Sequence, residues 1–141
     1  MDIEKQQRVD RFLAQPKILG RLATVSASGQ PHVVPVWFLW EDGCIWIHSY
    51  ATTRKVRQLQ RHPKCAFVVD VFESAEGLTG VLFEGTATLI TEPHSEVRSR
   101  AEKVYRRYLD EAAFNAPDPQ SWLDSEEGLI ICLKPAYIKA W

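Results

Sequence analysis

Three runs rich in β-branched and aromatic residues lie between residues 21 and 50, with few residues between them. RLATVSA, HVVPVWFLWE and CIWIHSY are typical of strands over residues 21–27, 32–41 and 44–50. The first turn is Ser28-Gly29-Gln30-Pro31, and Asp42-Gly43 is a strong hairpin signal. Connections this short favour antiparallel pairing, because parallel neighbours need a crossover of about a dozen residues or more. The sequence therefore constrains this part of the chain to an antiparallel sheet.

The rest of the sequence changes between the helix period and the strand period. Apolar spacing predicts helices over residues 2–14, 53–62 and 93–110, and strands over 65–72, 80–90 and 129–141. Gly85 indicates a bulge, Pro135 an interruption of the last strand, and NAPDPQSWLDSEEG a surface loop. We expect one domain over residues 1–141, with a mainly β fold. Its form would be a six-stranded antiparallel barrel with flanking helices, one of which plugs an end.

Composition and charge argue against several classes of protein. A formal net charge of −1 is unlike that of a protein that coats nucleic acid. No run of about 18 apolar residues is present, and the polar N-terminus is not a secretory signal. The three cysteines are far apart, which is typical of reduced thiols, so we expect a cytoplasmic protein. The four histidines show no metal-ligand spacing, and no dinucleotide or P-loop motif occurs, so we predict no metal site.

A basic cluster follows the third predicted strand, in the stretch HSYATTRKVRQLQRHP. Thr53 stands where a helix cap belongs, and Arg54 and Lys55 fall in the first helical turn. Cations there are unfavourable by about 0.3–1 kcal/mol, because the helix N-terminus is already positive. A bound phosphate would reverse that cost, and free backbone N–H groups would add to its binding. The alternative is a solvated basic helix face, which is the interpretation we give to Arg57 and Arg61.

The chain resembles the flavin-binding split-barrel superfamily, the pyridoxamine 5′-phosphate oxidase-like proteins. The resemblance lies in the order of its elements and in the stretch GQPHVVPVWFLWEDGCIWIHSYATTRKVRQLQRHP. The likeness covers about residues 9–91, and the closing PAYIKAW is similar too. It implies an FMN-binding split barrel, with Arg54 and Lys55 holding the phosphate of flavin mononucleotide (FMN) or of a deazaflavin. It also implies a homodimer with two cofactor sites at its interface. The other cofactor-binding positions that it implies are Val34, Pro35, Val36, Trp37, His48, Ser49, Thr53 and Trp141.

Departures from the family pattern refine the expected function. Val34 and Leu39 stand where oxidases of pyridoxamine phosphate carry an Arg and a Lys, and the last strand lacks their Arg-x-His motif. We therefore expect a flavin- or deazaflavin-dependent oxidoreductase acting on an unknown small organic molecule, and not a genuine vitamin B6 oxidase. FMN ranks first, with coenzyme F-420 and haem as alternative cofactors. The alternative function is a non-catalytic carrier of haem, a bilin or a flavin. We name no catalytic side chain, because the cofactor would supply the chemistry.

Three residues, Pro35, Trp37 and His48, admit two interpretations each. Pro35 lies inside a predicted strand, either at a sheet edge or bulge or with its nitrogen side facing a ligand. Trp37 belongs either to the core or to the wall of a cofactor pocket or dimer seam, and His48 either to the strand-end surface or to the site. Trp40 and Trp46 read as core or interface residues. Trp141 is a site candidate only through the resemblance.

Overall fold

The computed structural model describes residues 1–141, which form seven strands and five helices. The strands are β1 Gly20–Val25, β2 Pro31–Val36, β3 Leu39–Glu41, β4 Cys44–Tyr50, β5 Lys64–Asp70, β6 Gly80–Ile90 and β7 Gly128–Ala140. The helices are α1 Ile3–Leu13, α2 Arg54–Arg61, α3 His94–Arg106, α4 Glu111–Phe114 and α5 Pro117–Asp124. None of these helices is both long and apolar enough to cross a membrane.

All seven strands belong to one antiparallel sheet in the order β2-β1-β5-β6-β7-β4-β3. Its two edge strands, β2 and β3, are joined by only Trp37 and Phe38. Consecutive Cα atoms are about 3.8 Å apart, so the two edges lie within roughly 11 Å of each other where the chain crosses. The sheet therefore curls into a half-barrel that is open along the seam between β2 and β3. This confirms the predicted mainly β antiparallel barrel.

The strand predicted over residues 32–41 is divided, which gives seven strands where six were predicted. Phe38 takes its partners from side chains instead of from a neighbouring strand. The hydroxyl of Tyr108 accepts from the Phe38 N–H at 3.0 Å, and the Arg107 guanidinium donates to the Phe38 carbonyl. With both of its backbone groups satisfied in this way, Phe38 leaves the sheet and inserts its ring, fully buried, into the barrel.

Two prolines and a glycine are accommodated by irregularities of the sheet. Pro35 lies in the edge strand β2, where a missing N–H costs no ladder bond if it faces away from β1. The predicted bulge is confirmed, since the register shifts between Glu84 and Gly85. A Cβ at position 85 would lie 2.2 Å from the carbonyl oxygen of Lys134. Pro135 lies opposite this bulge, so β7 continues through it and the predicted interruption is wrong.

The barrel interior is filled by side chains of the sheet and of two helices. The predicted N-terminal helix is confirmed as α1, capped by Asp2, whose carboxylate accepts from the Lys5 N–H at 2.7 Å. Its apolar face supplies Val9, Phe12 and Leu13, and α2 supplies Val56 and Leu59. The strand side chains that they meet include Leu22, Ile45, Phe67, Val69, Val81, Phe83 and Leu133.

A second core lies outside the barrel, between helices α3–α5 and the strands β4 and β7. The helix predicted over residues 93–110 ends at Arg106, and the predicted surface loop contains α5. Pro117 starts α5 at a position where a proline costs no hydrogen bond, and Leu123 is buried, so this segment packs as a helix. The second core places α3 and α5 beside the ends of β2 and β4.

Candidate cofactor cleft at the barrel seam

A cleft of about 470 Å³, called here the aromatic cleft, opens where the ends of β2 and β4 meet the start of α2. Helices α3 and α5 form its other wall. It is lined by Val36, Trp37, His48, Tyr50, Lys55, Val104, Tyr105 and Trp122. Four of the sequence-predicted site residues, Val36, Trp37, His48 and Lys55, therefore come together here.

Aromatic rings make up most of the cleft wall. Trp37 stacks on Tyr108 with ring centroids 4.8 Å apart and planes 7° from parallel. The edge of Tyr105 meets Trp37 at 5.7 Å, and Tyr105 meets Trp122 at 6.0 Å in a T-shaped arrangement. Such contacts fix ring orientations and leave flat faces for a planar ligand. Trp37 therefore has both roles that the sequence allowed: its ring packs against Tyr108, and it lines the cleft.

His48 and Tyr105 form the polar pair of the aromatic cleft. The Nδ1 atom of His48 lies 2.7 Å from the hydroxyl oxygen of Tyr105. Burial lowers the pKa of His48 from 6.5 to about 4, so the imidazole is neutral at pH 7. Burial, together with the neighbouring Tyr50, raises the pKa of Tyr105, which keeps its proton. The pair therefore carries no charge at neutral pH.

Lys55 brings a positive charge into this largely apolar cleft. Burial lowers the pKa of its ammonium, and no carboxylate lies within ion-pair distance of it. The first turn of α2 is also uncapped, because no side chain bonds to it and it holds no acidic residue. The N–H groups of Arg54, Lys55 and Val56 have no backbone acceptor. Unpaired N–H groups beside an unpaired cation favour an anionic ligand.

Ser49 and Thr53 lie beneath this turn with their hydroxyls committed. The Thr53 hydroxyl donates to the carbonyl of Tyr50 at 2.9 Å, and it lies 3.2 Å from the Ser49 hydroxyl. Because Thr53 spends its hydrogen on Tyr50, Ser49 is the donor of the pair. Both residues stabilise the bend between β4 and α2, and in this arrangement neither offers a hydrogen to a phosphate.

Arg54 lines a different cavity from Lys55. It lies on a groove of about 560 Å³, called here the arginine groove. The residues of this groove are Ser26, Ala27, Thr52, Arg54, Arg57, Gln58, Gln60 and Arg61. The two cavities are still neighbours, because Arg54 and Lys55 both lie near His32. Burial is the main cause of the lowered pKa of His32, and the charges of Arg54 and Lys55 lower it further. The first turn of α2 thus forms a ridge between the two cavities, with Lys55 on the side of the aromatic cleft and Arg54 on the side of the arginine groove.

Three other predicted positions lie outside the aromatic cleft. Val34 and Pro35 are on β2 but do not line it, and Pro35 is exposed. Trp141 packs its indole over Gly80, where a Cβ would meet the ring at 2.3 Å. The preceding residue, Ala140, lies on β7, and the cleft residue Val36 lies on β2. Three strands separate them in the sheet, through the paired residues Val81, Val69 and Gly20. Trp141 therefore lies far from the cleft of its own chain.

Four residues of the cleft wall were not among the site residues predicted from the sequence. Val104, Tyr105 and Trp122 come from α3 and α5, and Tyr50 ends β4. Their distance along the chain from residues 36–55 hides the association. The signal available in the sequence was a pair of tyrosines, at 105 and 108, on the apolar side of the long helix, since buried tyrosines require a polar partner.

A curled antiparallel half-barrel with a cationic aromatic cleft at its seam defines the class of the split-barrel proteins. The chain belongs to the pyridoxamine 5′-phosphate oxidase family, whose family model matches residues 6–141. A curated relative is the 5a,11a-dehydrotetracycline/5a,11a-dehydrooxytetracycline reductase of Streptomyces rimosus. The two are 40% identical over 74 residues, which is 48% of this chain and 52% of the relative. The chain thus spans about half the length of this relative.

Solved structures agree with this fold. The conserved hypothetical protein Rv2991 of Mycobacterium tuberculosis has a TM-score of 0.77 at 24% identity, covering 100% of this chain and 84% of that protein. An F420 reductase has a TM-score of 0.68 at 21% identity, covering 92% and 94%. At these identities the likeness shows the fold alone.

Proposed function

We propose that the chain is an oxidoreductase that binds a flavin-type cofactor in the aromatic cleft and reduces a small organic substrate. The observation that carries this proposal is the uncapped first turn of α2, with the unpaired Lys55 ammonium beside it, at the mouth of an aromatic cleft. A planar ring with an anionic tail matches that combination. When bound, such a cofactor supplies the hydride, and the protein supplies binding, orientation and exclusion of water.

The residues present fit a ring with a ribityl phosphate. Trp37 and Tyr105 offer apolar ring surface, while His48 and Tyr50 carry the polar atoms of the same wall. Lys55 and the free N–H groups of the first turn of α2 would hold the phosphate. Arg54, on the other side of the ridge, would add long-range attraction to the anion and fewer direct hydrogen bonds.

FMN is the first choice of cofactor, with coenzyme F-420 as the alternative. The two share a ribityl phosphate, so the phosphate contact does not separate them. The names of the relatives favour reduction of an organic substrate, because one is a dehydrotetracycline reductase and another an F420 reductase. Oxidation of pyridoxamine phosphate is not expected, because Val34 and Leu39 are apolar and Leu39 packs against the second core.

We further propose that the chain acts as a homodimer through the outer face of the sheet. One register row of that face crosses five strands, with side chains that point away from the barrel core. It contains Val33, Ala23, Ala66, Glu84 and Tyr137. Val33 is 64% exposed and Tyr137 49% exposed, which leaves apolar surface for a second copy to cover.

The test compares the binding of FMN with that of riboflavin, which lacks only the phosphate. The wild-type chain is expected to bind FMN more tightly, and Lys55→Gln to remove most of that preference without weakening riboflavin. Lys64→Gln is the matched control, because Lys64 is an exposed lysine at the start of β5, outside the aromatic cleft. Equal affinity for FMN and riboflavin in the wild-type chain would contradict the phosphate site.

The same sample distinguishes the cofactors and the carrier alternative. Flavin gives a yellow protein, haem gives a sharp Soret band, and a deazaflavin is detected by the quenching of its fluorescence on titration. A loaded protein whose reduced cofactor is oxidised no faster with organic acceptors than without them would be a carrier, and the oxidoreductase proposal would then be wrong.

A further inference from the structure

Two tyrosines lie one helical turn apart beside the aromatic cleft, and their hydroxyls have different surroundings. The hydroxyl of Tyr108 is fully engaged, because it donates to the carbonyl of Ile18 at 2.8 Å and accepts from the N–H of Phe38. The hydroxyl of Tyr105 has neither kind of backbone partner. Its hydrogen-bond partner is His48 Nδ1, at 2.7 Å, and the Tyr50 side chain lies near enough to help raise its pKa.

Structural stability alone gives a weak reason for the Tyr105–His48 pair. Both side chains are largely buried, and Tyr105 is only 5% exposed. A neutral hydrogen bond in such a place roughly offsets the cost of removing the two groups from water. Apolar side chains of similar shape would pack as well between the helix and the sheet. A function in the cleft explains why the polar atoms are there.

The arrangement of atoms fits a proton donor. If His48 carries its proton on Nδ1, it donates to the Tyr105 oxygen, and the phenolic hydrogen is left to be donated to Tyr50 or to a ligand in the cleft. The other nitrogen, Nε2, makes no hydrogen bond to the protein and faces Gly128, whose Cβ would be 3.0 Å away. No buried side-chain nitrogen or oxygen lacks a partner, so Nε2 is in contact with solvent.

We propose that Tyr105 is the proton donor of the aromatic cleft and that the substrate is a flat ketone or conjugated enone. Its hydroxyl donates to the carbonyl oxygen of the substrate, and His48 positions it through Nδ1. This inference rests on the proposed function, since the hydride that reaches the substrate carbon comes from the reduced flavin-type cofactor.

The step balances in atoms and charge. One hydride forms the new C–H bond at the carbonyl carbon, and the carbonyl π electrons move to oxygen. In an enone the hydride adds to the β-carbon, the C=C π electrons move to the bond beside the carbonyl, the carbonyl π electrons move to oxygen, and the product leaves as the enol. The O–H bond of Tyr105 breaks and its proton goes to that oxygen, leaving a tyrosinate. The Nδ1 proton of His48 then restores the phenol, and Nε2 takes a proton from water, so the imidazole changes tautomer. A second tautomer exchange with water returns the pair to its starting state.

The first test uses the chain without cofactor and two probes that differ by one carbonyl group. 2-Acetylnaphthalene and 2-ethylnaphthalene have the same ring and nearly the same shape, and their binding is measured through the fluorescence of the cleft tryptophans or by calorimetry. In the wild-type chain the ketone is expected to bind about tenfold more tightly, which is the value of one hydrogen bond in an apolar site. Tyr105→Phe is expected to remove this preference and to leave the hydrocarbon affinity unchanged.

Tyr137→Phe is the matched control, because it deletes the hydroxyl of an exposed tyrosine outside the aromatic cleft. It should keep the ketone preference of the wild-type chain. A preference that is absent in the wild-type chain, or unchanged in Tyr105→Phe, overturns the assignment of Tyr105. Loss of the preference in both variants also overturns it, since the effect would then be structural.

The second test follows the oxidation of the reduced, FMN-loaded protein by 2-cyclohexen-1-one. Tyr105→Phe is expected to lower kcat about a hundredfold or more and to raise KM by about the tenfold that is lost in ketone binding, with the FMN dissociation constant within about twofold of the wild-type value. An unchanged kcat, or no oxidation by this enone in the wild-type protein, counts against the proton transfer. Failure of the wild-type chain to bind FMN or a deazaflavin contradicts the proposed function instead, and it leaves the ketone-binding result to stand by itself.

Discussion

The hydroxyl of Tyr108 lies 3.0 Å from the backbone nitrogen of Phe38, seventy residues earlier in the chain. This contact fixes the crossing between β2 and β3, and it therefore holds the edge of the aromatic cleft in place. Tyr108→Phe leaves the Phe38 N–H without its acceptor. We expect the free energy of unfolding to fall by about 1–3 kcal/mol, measured by urea denaturation. Tyr137→Phe is the control, because Tyr137 is 49% exposed and makes no side-chain hydrogen bond, so an equal loss there would refute this account.

Lys55 and Arg54 are predicted to contribute unequally to phosphate binding. Lys55 lines the aromatic cleft and Arg54 the neighbouring groove, so only Lys55 is placed for direct contact. Lys55→Ala should weaken FMN binding by about 1.5–3 kcal/mol, roughly 10- to 150-fold in Kd. Arg54→Ala should cost less, about 0.5–1 kcal/mol, and that loss should disappear in high salt because it acts through solvent. Titration of FMN fluorescence at two salt concentrations measures both. The reverse ranking would mean that the ligand enters the arginine groove.

His48 should make the fold less stable in mild acid. Its pKa is lowered by burial from 6.5 to about 4, so the unfolded chain takes up a proton in this range before the folded chain does. The contribution of neutral, buried His48 to the free energy of unfolding is therefore fully present above about pH 6.5, and it is lost as the pH falls toward 4. The full difference is about 3 kcal/mol. Urea denaturation between pH 7 and pH 4.5 should show a flatter dependence for His48→Phe. His62→Gln, at the exposed end of α2, should keep the wild-type dependence.

The sheet could be predicted from the sequence because its signals are local. Alternating β-branched and aromatic residues, the Asp42-Gly43 turn and the glycine at position 85 act over a few residues, and each appears in the structure as predicted. The division of the second strand could not be predicted. It depends on Tyr108 and Arg107, which reach Phe38 from seventy and sixty-nine residues away. No pattern within residues 32–41 carries that information.

The candidate site divides in the same way. His48 and Lys55 lie seven residues apart, and a strand–helix junction brings them together, so a local motif indicates both. Tyr105 and Trp122 reach the cleft only through the packing of α3 and α5 on the sheet. The motif also does not show that Arg54 and Lys55 face different cavities. Successive residues of a helix point about 100° apart, so two adjacent cations rarely converge on one pocket from side chains alone.

The outer face of the sheet provides the test of the proposed dimer. Val33→Glu places a charge at the β2 end of this row, on a side chain that is 64% exposed in the single chain. If a second copy covers this row, burying an unpaired carboxylate should weaken the dimer by several kcal/mol and give a monomer at micromolar concentration. Ile3→Glu is the matched control, because Ile3 is 77% exposed on α1, away from the row. Sedimentation equilibrium measures both variants. A wild-type chain that is monomeric at high concentration, or a Val33→Glu variant that stays dimeric, would show that the copies do not meet on this face.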